Sequence, residues 1–88
     1  MSRNSLPAVE VWERKRVGAI LRALRDSRDI KLEEIGSWFT PAKSRAFLAN
    51  IEAGRKAMPA YMLPILCERF EVKPIVFAKA GAMTEDAA

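Results

Sequence analysis

Residues 43–56 read Lys-Ser-Arg-Ala-Phe-Leu-Ala-Asn-Ile-Glu-Ala-Gly-Arg-Lys. At 3.6 residues per turn, Ser44, Phe47, Leu48 and Ile51 fall on one side of a helix, while Arg45, Ala46, Ala49, Asn50 and Ala53 fall on the other. The pattern predicts a helix over about 43–53. Gly54, free to adopt a left-handed conformation, ends it, and Arg55-Lys56 lies in an exposed loop beyond. The start is open to two readings, because Thr40-Pro41-Ala42-Lys43 interrupts the pattern and the residue before a proline avoids the helical region. The helix begins either at Pro41 capped by Thr40 or at Arg45 capped by Ser44.

Working outward from this helix, the flanking sequence repeats the same period. Upstream, Ile30, Ile35, Trp38 and Phe39 make an inward stripe for a helix over about 31–39, with Asp29 as its cap or no cap at all, and Glu33 and Glu34 in a first turn where the dipole favours them. Before it, Val9, Trp12, Val17, Ile20, Leu21 and Leu24 recur at helical spacing over about 8–27, a helix that Pro7 can open. Downstream, Met62, Leu63, Leu66, Cys67 and Phe70 form a fourth stripe, with Pro64 tolerable in its first turn. A short fifth helix is expected over about 74–80, starting at Pro74, carrying Ile75, Val76 and Phe77 and stopping at Gly81. The expectation is an all-α domain over residues 8–81, five short helices on one core, with a flexible arm at 1–7 and a disordered tail at 82–88.

Composition narrows the function. The chain has 88 residues, no His and one Cys. That length suits one domain, and the composition removes His- and Cys-based metal sites, Cys-His nucleophiles and internal disulfides. Neither a Gly-rich phosphate loop nor a Gly-x-Ser-x-Gly elbow occurs. These absences predict a protein that is not an enzyme, with no cofactor, no metal and no small-molecule ligand. No apolar run approaches the ~20 residues of a membrane span, and Met1 to Pro7 is too short and polar for a secretory signal. A soluble cytoplasmic protein is expected.

Charge points to a partner. Lys and Arg number 15 against 11 acids, with a pI near 9.6, and two of those acids, Glu85 and Asp86, sit in the terminal tail. A basic balance of this kind suits a polyanion. Within 43–56, Lys43, Arg45, Arg55 and Lys56 face a single acid, Glu52. The outward side of this helix is smooth, since Ala46, Ala49 and Ala53 separate Arg45 and Asn50. A helix so shaped can approach the floor of a major groove, where Arg pairs with guanine, Asn with adenine and Ala methyls touch thymine methyls. Lys43, Arg55 and Lys56 bracket it as phosphate contacts, with Lys31 a further candidate at the start of the second helix. The aromatic residues Trp12, Trp38, Phe39, Tyr61, Phe70 and Phe77 read as core or dimer-interface groups, and Cys67 as a small buried hydrophobe.

From Val17 to Phe77 the order of residues resembles the phage repressor and Cro family of helix-turn-helix domains. The resemblance is carried by Leu21-Arg22-Ala23-Leu24-Arg25, Leu32-Glu33-Glu34-Ile35, Asn50-Ile51-Glu52-Ala53-Gly54-Arg55-Lys56, Leu63-Pro64 and Phe70-Glu71-Val72. The turn at Thr40 to Lys43 is longer than the family's short turn. The resemblance implies a lambda-repressor-like helix-turn-helix domain that reads double-stranded DNA as a homodimer, with Arg45, Ala46, Ala49 and Asn50 at the bases. It also implies a salt bridge between Arg25 and Glu52 beneath the DNA-facing surface, and a bacterial cell or phage-infected host. A Cro-like repressor is the expected function. An antitoxin-like protein-binding module with secondary DNA binding is the alternative, against which the short tail speaks.

Overall fold

The computed structural model describes residues 2–77, with side chains described from residue 11 onward. Among the described residues there are four α-helices: α1 Ser2–Ser27, α2 Leu32–Gly36, α3 Arg45–Glu52 and α4 Met62–Phe70; a 3₁₀ turn, Pro74–Phe77, follows them. Among the described residues there is no strand. The expected fifth helix is therefore corrected to a single tight turn, closed by Val76 N–H donating to the Lys73 carbonyl at 3.0 Å. Only Phe77 of that turn is buried, while Ile75 and Val76 stand 61% and 37% exposed. The expected stop at Gly81 and the tail at 82–88 lie outside the described residues.

The first helix is longer than its apolar stripe predicts. It begins at Ser2 and takes in residues 2–7, which were expected as an arm. Pro7 falls in its second turn, where the fixed φ suits a helix but the missing N–H leaves the Arg3 carbonyl without its i→i−4 donor. At 1.5 Å per residue, the 26 residues of α1 make a rod of about 39 Å, nearly the 41 Å long axis of the molecule.

Asp29 does not cap α2. It has φ 55° and closes α1: Asp29 N–H donates to Asp26 O at 3.1 Å and Ile30 N–H to Arg25 O at 3.1 Å, the bond pair of a Schellman ending. Lys31 takes the N-cap position of α2 and offers no side-chain cap bond. The second helix then stops at Gly36 instead of running to residue 39. Gly36 is buried where the Lys43 carbonyl crosses it, with no room for a Cβ, and its own carbonyl accepts from Lys43 N–H at 3.1 Å. Trp38 and Phe39 pack from the turn, Trp38 edge-on to Phe70 with ring centroids 5.3 Å apart. The Thr40–Pro41 bond is cis.

Of the two starts open for the third helix, the structure has the later one. Ser44 is exposed and its Oγ accepts from Phe47 N–H at 3.1 Å, so it is a cap, not an inward-facing residue. The core joins Leu21 of α1, Ile35 of α2, Phe39, Leu48 and Ile51 of α3, Met62, Leu66, Cys67 and Phe70 of α4, and Phe77. Burial pushes the Cys67 thiol pKa up, which keeps it protonated and inert. Trp12 and Tyr61 are 53% and 52% exposed and lie outside the core.

Candidate nucleic-acid interface

Leu48 and Ile51 bury one side of α3, which fixes how the rest of the helix is presented. About 100° separates successive residues, so Ala46 and Ala53 point directly away from the core, and both are exposed. Ala49 and Asn50, half-buried, flank them. Arg45 lies on the α2 side of this stripe, with its Nε 3.7 Å from Glu33 Oε2 and both side chains largely exposed. Lys31 lines the same shallow recess with Arg25, Leu32, Glu33 and Arg45. On the other side, the half-buried Phe47 ring holds two ammonium groups, Lys43 Nζ at 5.3 Å and Lys56 Nζ at 5.5 Å from its centroid. Lys43 Nζ is also 5.2 Å from the Tyr61 ring. Cations thus flank a strip of methyl groups on both sides.

The single acid of this segment faces inward. Arg25 Nε donates to Glu52 Oε2 at 2.7 Å and Arg25 Nη2 to Glu52 Oε1 at 3.2 Å, a two-pronged pair whose side chains are 18% and 8% exposed. A third donor, Arg25 Nη1, holds the Ile30 carbonyl at 3.0 Å. The Glu52 hydrogen bond raises the Arg25 pKa above its ordinary value against the opposing effect of burial. Glu52 is therefore neutralised beneath α3, and its charge does not oppose an anion on the outer face.

The end of α3 is built by Gly54. With φ 81°, it lets Gly54 N–H donate to Ile51 O at 3.0 Å and Arg55 N–H to Asn50 O at 2.9 Å. Arg55 then folds back so that its Nη1 donates to Asn50 Oδ1 at 3.3 Å. The sequence separates Asn50 as a base reader from Arg55 as a phosphate anchor; the structure joins them. The Asn50 amide oxygen has two lone pairs, so Arg55 takes one and orients the amide while the other can still accept.

Sequence reasoning missed two cations at this end. Arg14 Nε donates to the Gly54 carbonyl at 3.4 Å, and a Cβ on Gly54 would sit 2.5 Å from Lys15 Cγ and 2.9 Å from Lys15 Cα. Both belong to α1, Arg14 lying 40 residues before Gly54, and no local pattern in the sequence marks either of them. Gly18 makes the approach possible: a Cβ there would collide with the Ile51 carbonyl oxygen and lie 2.7 Å from that of Glu52. Beside α1, an apolar groove of about 550 Å³ runs between Glu13, Arg14, Val17, the 57–60 loop, Leu63 and Phe77. Among the described residues no group of three or more His, Cys, Asp or Glu side chains could hold a metal ion, and no helix is long and apolar enough to cross a membrane. No protein-family model, curated protein or solved structure matches this chain.

Proposed function

We propose that this protein is a sequence-specific, duplex-DNA-binding transcriptional regulator of the small repressor kind, a helix-turn-helix domain with α2 and α3 as the motif and α3 in the major groove. One observation carries the reading: the outward strip of Ala46, Ala49 and Ala53 is flanked on both sides by cations while the only acid of the segment is turned inward onto Arg25. Arg45 and Asn50 are the base-reading residues, and Lys31, Lys43, Arg55 and Lys56 hold the backbone. A domain of this size covers about one groove, so two copies on an imperfect palindrome double the contact. Ile75 and Val76, exposed beside Phe77, which is buried in its own core, are the proposed contact between them.

Selection of bound sequences from a random duplex pool tests this. The expected product is a motif with two-fold symmetry, bound more weakly as salt rises because phosphate contacts release counterions. Recovery of no motif, with affinity unchanged between low and physiological salt, rejects the reading. The apolar groove along α1 supports a second one, a protein-binding module of the antitoxin kind, for which selection returns no motif while a protein partner binds tightly.

A further inference from the structure

We infer that α1 itself reaches the DNA backbone, with Lys15, supported by Arg14, as a phosphate contact beside Arg55 and Lys56. This rests on the duplex-binding reading above and extends it to a segment outside the helix-turn-helix motif. Two glycines place the segment. Gly18 brings α1 onto the last carbonyls of α3, and Gly54 lets the Lys15 backbone and stem lie against the turn that ends α3. The cations one turn before Gly18 are thereby set at the end of the recognition helix, where a bound duplex would pass its phosphates. Arg14 is committed to the Gly54 carbonyl. Lys15 is exposed, its stem laid on Gly54, and among the described residues no carboxylate lies within ion-pair distance of its ammonium. The result is a basic cluster drawn from separate parts of the chain, Arg14 and Lys15 from α1 and Arg55 and Lys56 from the loop after α3, with Glu52 held beneath it by Arg25.

A cation at a helix C-terminus also favours the helix dipole, so the test must read more than stability. Binding of Lys15→Gln and Lys15→Arg to a random-sequence duplex and to a selected site is measured across a salt series by fluorescence anisotropy, with Arg22→Gln as the control. Arg22 is exposed on α1 and pairs with Asp26 at 3.7 Å. Lys15→Gln is expected to weaken both duplexes by a similar factor, about threefold to tenfold, and to reduce the salt slope by about one unit per protomer. Lys15→Arg should restore both, and Arg22→Gln should change neither. A Lys15→Gln variant with wild-type slope on both duplexes overturns the assignment and leaves the α3 reading standing. Wild-type protein that binds neither duplex overturns both.

Discussion

The C-terminal ends of α3 and α4 use one backbone device in two settings. At each, a residue with positive φ, 81° for Gly54 and 59° for Glu71, sends paired N–H bonds back into the last turn. At each, an arginine from α1 or the turn after it holds a carbonyl: Arg14 that of Gly54 at 3.4 Å and Arg28 that of Phe70 at 2.9 Å. Yet one cap is glycine and the other a glutamate. The left-handed conformation alone does not require glycine, as Glu71 and Asp29 demonstrate; what requires it at 54 is the backbone of Lys15 lying where a Cβ would be. The end of α3 is thus the crowded one, and its crowding brings Lys15 against the turn that carries Arg55 and Lys56.

The largest expected effect breaks this comparison directly. Gly54→Ala adds left-handed strain and a collision with Lys15, and should cost about 3 kcal/mol in urea unfolding. Glu71→Ala, which keeps the same strain in open surroundings, should shift stability by less than about 0.5 kcal/mol. A Gly54→Ala loss no larger than the gain from Glu71→Gly would mean that conformation, not crowding, selects the glycine. Next in size is Glu52→Ala, expected to cost about 2 kcal/mol because it strands the half-buried Arg25. Combined with Arg25→Ala it should fall well short of additivity in a double-mutant cycle, whereas the exposed Arg45 and Glu33 pair should show coupling below about 0.5 kcal/mol.

A third substitution carries the comparison to binding. Asn50→Ala should cost about 1 to 2 kcal/mol on a selected site and relax preference at one or two positions. Arg55→Ala should weaken selected and random duplexes alike and reduce the salt slope by about one unit. Because Arg55 Nη1 holds the Asn50 amide oxygen, the two should be coupled on the selected site and independent on random duplex. A map in which Lys43→Ala alters base preference while Asn50→Ala does not would show that α3 lies in the groove at a different rotation. The smallest effect belongs to the quiet cap: Glu71→Gly should stabilise the fold by up to about 1 kcal/mol through relief of the left-handed residue, with no change in duplex binding.

The sequence by itself determined much of the framework. The period-3.6 stripes placed Leu21, Leu48, Ile51, Met62, Leu66 and Phe70 in the core, because burial of an apolar face is the strongest signal a helix carries in its residues. Gly54 as the end of α3, and the outward set of Ala46, Ala49 and Asn50, follow from the same local rules. Tertiary structure decided where each helix stops. The second helix ends early because the Lys43 carbonyl crosses Gly36; Asp29 closes α1 because its backbone bonds run backward rather than forward; and Pro74–Phe77 remains one turn, with only Phe77 drawn inward. The placing of Arg14 and Lys15 beside Gly54, and of Arg55 on Asn50, lay beyond any local rule. Those contacts join residues by packing and charge across the fold, and side-chain periodicity encodes which face a helix buries but not which distant helix end that face will meet.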